Sequence, residues 1–259
     1  MRGNSNMIMQ ARDLHLLREL SVMRVVDRDQ ALTVARFGSL TRVNTRLLTL
    51  TRAGLLRRFF LGSGGGRKAV YALSKKGALA ADVPMHGPRR PQDATLVADY
   101  FVRHQLTVNG IFCTVKYRPI PVERVTFHRW LDFNEPIVSG LPLIPDGYVE
   151  FATPGGVSAC FLEVDLGHES QTIWKRKAEN YLELARSENF RKRFGQERFR
   201  VLVLANSERR LYSIRQTVAK ITQKIFRFAT LDAAGREFFG PIWLRPLDSQ
   251  PTNLFEKNP

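Results

Sequence analysis

The run Phe161-Leu162-Glu163-Val164-Asp165 places two carboxylates two residues apart in an otherwise apolar stretch. A strand turns successive side chains to opposite faces, so Glu163 and Asp165 share one face while Leu162 and Val164 point into a core. Two like charges on a buried strand repel each other and resist desolvation, so the fold must bring something cationic to them. Pro145-Asp146 upstream and Lys177 downstream are within reach in sequence. Two arrangements meet that demand. In one, Asp146, Glu163 and Asp165 form an oxygen shell for Mg²⁺ or Mn²⁺, and Lys177 orients a metal-activated water or steadies developing charge. In the other, Lys177 pairs with Glu163 or Asp165 in a buried polar network and only holds its helix to the sheet.

The elements around this strand predict a sheet flanked by helices. A helical apolar pattern runs from Asp93 to about Cys113, and extended segments are expected over residues 123–133, 148–153 and 157–165. A long helix is expected from Glu169 to about Phe190, with Ile173, Trp174, Lys177, Tyr181 and Leu184 on one stripe. The apolar run 199–205 suits the buried middle of a sheet. Ser207 opens a further helix through Ile225, and a last extended piece lies near 241–244. Glu169 reads as a charge at a helix N-terminus, and Arg209-Arg210 as a phosphate grip or solvated surface.

Charge points to the partner. The chain carries 40 Lys+Arg against 24 Asp+Glu, and residues 1–82 alone hold 15 against 5. Such a surplus favours a polyanion, through phosphate neutralisation and counterion release. No apolar run is long enough to span a membrane, and residues 1–6 lack the apolar segment of a signal peptide. Cys113 and Cys160 are too few for a zinc pattern or a disulfide framework, so a cytoplasmic protein with reduced thiols is expected. No nucleophile-elbow serine motif is present, and Gly62–Gly66 lacks the lysine of a phosphate-binding loop.

That basic first third has the element order of a winged helix-turn-helix. Leu14, Leu16, Leu17 and Leu20 fall at helical spacing, and Asp27 caps a second helix reaching Phe37. After Gly38-Ser39, a third helix turns Val43, Leu47, Leu48 and Leu50 inward and leaves Arg42, Asn44, Thr45, Arg46 and Arg52 outside. A hairpin follows with a glycine tip at 62–66 and Arg67-Lys68 beside it, and Ser74 caps a short helix to Ala81. On double-stranded DNA the third helix would enter the major groove. Asn44 and Arg46 then face base edges, while Arg42, Arg52, Arg67 and Lys68 face phosphates. The plainer alternative is a protein-binding winged helix with solvated arginines. Residues 83–92 are rich in Pro and Gly and read as a linker, which sets domains at 1–82 and 93–259.

The order helix, three strands, helix, strand, helix, with Pro145-Asp146 and Glu163 in place, resembles the PD-(D/E)xK restriction-endonuclease-like fold. The resemblance implies an α/β (α+β) domain, a mixed sheet flanked by helices, whose acids bind Mg²⁺. Asp165 stands where that family keeps its lysine, and some members carry the lysine on the following helix, as Lys177 would be here. The whole chain from about residue 11 to 205 also resembles the replication-relaxation family of plasmids and mobile elements. Its motifs here are Arg12-Asp13…Leu17, Ala53-Gly54-Leu55, Tyr71…Leu73…Gly77, His104…Asn109, Pro145-Asp146, Glu163-Val164-Asp165-Leu166-Gly167-His168-Glu169 and Lys177…Tyr181. This implies mobile-element DNA metabolism. The protein would be a Mg²⁺-dependent endonuclease or nickase, or else a non-catalytic replication or transcription regulator with a degenerate nuclease-like domain. Homodimerisation, from the two-fold symmetry common among DNA-binding proteins, and other mobile-element proteins are the expected partnerships.

Overall fold

The structure is a computed structural model and describes residues 7–62, 68–86 and 97–255. Arg67, the glycines at 64–66 and residues 87–92 of the expected linker lie outside the described residues. The chain divides into two units, residues 1–113 and 114–259.

The first unit runs α1 (Ala11–Met23), β1 (Val26–Asp27), α2 (Arg28–Val34), α3 (Leu40–Arg52), β2 (Leu56–Leu61), β3 (Lys68–Leu73) and α4 (Lys75–Ala81). Side-chain oxygens start three of these helices: Asp27 accepts from Gln30 N–H, Ser39 from Arg42 N–H and Ser74 from Gly77 N–H. Val43, Leu47 and Leu50 form the buried stripe of α3. β2 and β3 pair antiparallel from Leu56↔Leu73 to Leu61↔Lys68. β1 joins on the far side of β3, giving the order β1-β3-β2. At two residues, β1 is too short to leave a periodic signal.

A further helix, α5 (Val97–Tyr117), belongs to this unit as far as Cys113. The linker had suggested that it opens the second domain. Packing decides otherwise, because Leu106 joins Val25, Leu61 and Val70 in one apolar cluster, with Phe59 and Val102 against it. Buried Asn109 donates to the Met23 and Val25 carbonyls at 2.9 and 2.6 Å, closing the end of α1. Gln30 Nε2 donates to Leu106 O, and Gly62 N–H to Asp99 Oδ2.

The second unit contains β4 (Thr126–Leu131), β5 (Gly147–Thr153), β6 (Gly156–Asp165), α6 (Gln171–Arg186), α7 (Asn189–Phe194), β7 (Phe199–Ala205), α8 (Glu208–Ala219), β8 (Phe226–Thr230) and α9 (Leu231–Glu237). The sheet order is β4-β5-β6-β7-β8. β4, β5 and β6 are antiparallel, and β7 and β8 continue parallel to β6. This is the mixed sheet expected from the element order, so the chain is mixed α/β, with a three-stranded antiparallel sheet in the other unit. One core holds Phe161, Val201, Val203, Phe226 and Phe228 of the sheet against Trp174, Tyr181, Leu184, Leu211, Ile214 and Val218 of α6 and α8.

Several boundaries differ from expectation, among them α2, which ends at Val34 short of Phe37, and α5, which runs past Cys113 to Tyr117. The helix expected to reach Phe190 ends at Arg186 and resumes as α7. The helix expected through Ile225 ends at Ala219, and residues 226–230 form β8. Ile221 and Ile225 merely continued the three- and four-residue spacing that runs from Ile214 through Val218. Near 241–244, Trp243 and Leu244 make single bridges to Thr252 and Phe228.

Candidate functional site

Register brings the acids to one edge of the sheet. Asp165 ends β6 beside Ala205 at the end of β7, and Gly147 at the start of β5 pairs with Leu162. Residues just before β5, just after β6 and just after β7 therefore converge. Asp146 is tied to this edge twice: its N–H donates to Leu162 O at 3.1 Å, and its Oδ2 accepts from Val164 N–H at 2.7 Å. The next residue must be glycine, since the Trp130 ring fills the space a Cβ would need.

Glu163 is 1% exposed. Its Oε2 accepts from Lys177 Nζ at 2.8 Å and its Oε1 from the Tyr181 hydroxyl at 2.6 Å. Lys177 and Tyr181 stand one turn apart on α6, so one helical face delivers both donors. Lys177 also donates to Glu169 Oε1 at 2.6 Å, and its ammonium lies 5.1 Å from the Trp174 ring centre. Burial pushes the Glu163 carboxyl up to about 7; the Lys177 charge opposes that rise, and the charges of Asp146 and Glu169 add to it. Burial works against the Lys177 ammonium, but Glu163, Asp146 and Glu169 carry its pKa above the ordinary lysine value.

Asp165 has a different cation. Arg210, from the first turn of α8, donates Nε to Oδ1 at 2.8 Å and Nη2 to Oδ2 at 2.6 Å. Trp174 Nε1 donates to Oδ2 and Gly167 N–H to Oδ1. Arg210 also donates to the Glu169 carbonyl. Burial alone would raise the Asp165 pKa, but the hydrogen bonds from Arg210, Trp174 and Gly167 hold it below the ordinary aspartate value.

The four residues expected to do chemistry thus fall into two groups: Asp146, Glu163 and Lys177 gather, while Asp165 is committed to Arg210. A divalent ion needs several hard oxygens at once. Here both oxygens of Glu163 and both of Asp165 already accept hydrogen bonds, and the Lys177 ammonium stands between Glu163 and Glu169. Among the described residues, no group of three His, Cys, Asp or Glu side chains is placed to hold a metal. The side chains as arranged do not fit a metal shell. Glu169 Oε2, buried without a donor among the described residues, is a sign of unmet demand. Sequence reasoning had set aside Glu169 and left Arg210 undecided. The signal for Arg210 was available only with the adjacency of β6 and β7 in hand.

On the first unit, Arg42, Thr45 and Arg52 lie exposed along α3, and Asn44 is half-buried. Arg46 is turned inward. Its Nε donates to Asp13 Oδ1 at 2.8 Å, and its Nη2 to Asp13 Oδ2 and to the Ile8 carbonyl. Lys68 Nζ lies 2.6 Å from Asp27 Oδ2. Arg57 and Arg58 of β2 add two exposed guanidiniums, over the Phe59 and Phe60 rings respectively.

A family model described as replication-relaxation matches residues 14–197. The chain belongs to the replication-relaxation family. The match covers α3 and the Asp146, Glu163 and Lys177 group, and ends before Arg210. Membership ties the chain to replication and relaxation. No curated protein and no solved structure matches it. Among the described residues, no helix is long and apolar enough to cross a membrane.

Proposed function

We propose that the protein is a cytoplasmic duplex-DNA-binding member of the replication-relaxation family that acts on plasmid or mobile-element DNA and holds it without cutting. The first unit is read as a winged helix, with α3 as its groove helix and β2 and β3 as its wing. Its surplus of 15 Lys+Arg over 5 Asp+Glu in residues 1–82, together with the exposed Arg42, Arg52, Arg57 and Arg58, supports a phosphate partner. The second unit is read as a nuclease-like frame put to assembly, with a second copy of the chain or with other mobile-element proteins. Lys177 carries that half of the reading: its ammonium, 2.8 Å from Glu163 and 2.6 Å from Glu169, already neutralises the acids a metal would need.

One observation favours a second reading, a Mg²⁺- or Mn²⁺-dependent endonuclease or nickase. Asp146, Glu163 and a lysine do meet at one strand edge, the arrangement that the fold resemblance predicts. Supercoiled plasmid incubated with the full chain and either metal separates the two. Retarded but intact plasmid is the expected result. Nicking by the wild type that disappears in Asp146→Ala and Glu163→Ala would overturn the non-cutting reading in favour of the second.

A further inference from the structure

A recess of about 290 Å³ opens between the start of α1 and the outer side of α3, lined by Arg12, Phe37, Thr41, Arg42, Thr45 and Arg46 among others. Among the described residues, no carboxylate lines it. The Arg12 guanidinium lies 5.1 Å from the Phe37 ring centre, and its Nε donates to Gln10 Oε1 at 2.7 Å. Ring and amide together hold the fork in one plane, and both terminal nitrogens are left without a protein acceptor among the described residues. Arg42, which also lines the recess, likewise has no acceptor for its guanidinium among the described residues. Arg46 adds no free charge, being matched by Asp13; it serves as a fixed wall. Thr49 donates its hydroxyl to the Thr45 carbonyl, while the hydroxyls of Thr41 and Thr45 make no hydrogen bond among the described residues.

Two uncompensated planar forks facing a hydroxyl-lined recess suit a tetrahedral oxyanion, which arginine binds in bidentate fashion. We infer that this recess seats one backbone phosphate of bound duplex DNA, clasped by Arg12 from α1 and Arg42 from α3. The inference rests on the reading of the first unit as a DNA-binding winged helix. It adds a contact from outside the groove helix, one that fixes how α3 is rotated on the duplex and carries no base preference.

The test uses the full chain and fluorescently labelled duplexes of two unrelated sequences, titrated across a range of NaCl concentrations. Losing one phosphate contact makes the slope of log affinity against log salt shallower by about 0.9. Arg12→Ala is expected to show that change, with the same fold loss on both duplexes, and Arg42→Ala to match it. Arg12→Lys should keep the slope, since the charge remains. A wild-type slope in Arg12→Ala, or a loss confined to one sequence, overturns the phosphate seat while leaving DNA binding intact. A wild type that binds neither duplex overturns the DNA-binding reading itself, and the seat with it.

Discussion

Lys177 Nζ lies 2.8 Å from Glu163 Oε2, so the cation demanded by an acid on a buried strand comes from the chain's own next helix. Tyr181 fills the other oxygen from one turn further along. The site is a network of paired side chains in which Glu169 Oε2 is left without a donor among the described residues, and each of its parts can be tested separately.

The pH dependence of stability carries a mark of Glu163. Its carboxyl is raised from 4.5 to about 7, chiefly by burial, so between those values the folded chain holds a proton that the unfolded chain has released. That contribution is complete below about 4.5 and is lost as pH rises through about 7. Asp165, held low, works in the opposite sense and lends stability that is lost on acidification. The difference in thermal midpoint between wild type and Glu163→Gln isolates the first effect. The midpoint of the wild type relative to Glu163→Gln should fall as pH rises across that window; a relative midpoint that stays flat or rises contradicts the assignment.

Arg210→Ala should be severely destabilising. It strands the Asp165 carboxylate, whose side chain is fully buried, and opening a buried pair from one side costs about 3–5 kcal/mol. Arg209→Ala, at the exposed neighbouring position, should change stability by no more than about 0.5 kcal/mol. Urea unfolding of the two variants compares them directly, and equal midpoints would contradict the structural role of Arg210.

Arg46 and Arg42 stand one turn apart on α3 and should behave as opposites. Arg46→Ala leaves buried Asp13 without its cation and should lose about 3 kcal/mol or more. Arg42→Ala should leave the unfolding midpoint nearly unchanged and weaken duplex binding. Thermal unfolding beside an anisotropy titration reads both; a stable Arg46→Ala protein with altered base preference would restore the groove-reading role.

Gly77→Ala tests the α4 contact. Alanine would normally favour a helix by about 1 kcal/mol, but a Cβ here would overlap the Leu55 carbonyl oxygen, which is backbone and cannot swing aside. A net loss of about 1–3 kcal/mol is expected from chemical denaturation. A stabilised variant would mean that the approach of α4 to Leu55 is looser than described.

What the sequence reveals follows from the range of each interaction. The Asp27 and Ser74 caps and the apolar stripe of α3 are local signals, and each appears in the structure. The alternation read in the run 161–165 divides its side chains between two faces, but residues 159–165 are all buried, so both faces are covered. Glu163 and Lys177 are separated by one strand end and one helix start, so their pairing was among the two arrangements left open. Arg210 reaches Asp165 from 45 residues away through the pairing of β6 with β7, which no local pattern encodes. Arg46 shows a second limit. Helical period places its Cβ on the outer side of α3, but a long, flexible side chain can still fold back to Asp13 in α1. Glu150 is a third case: it is buried and gripped by Arg129 and Tyr148, where strand alternation would suggest only an ordinary polar position.

The packing of α5 on the three-stranded sheet decides what can be inherited or transplanted as a working part. A fragment ending at residue 82 would retain the exposed arginines of α3 and β2. It would lose Leu106 and Val102 from over Val25, Leu61 and Val70, and would lose Asn109 from the end of α1. Such a piece would be sticky as well as basic. Recombination that joined this unit to a new neighbour would have to cut within a helix, at a point the proline-rich stretch does not advertise.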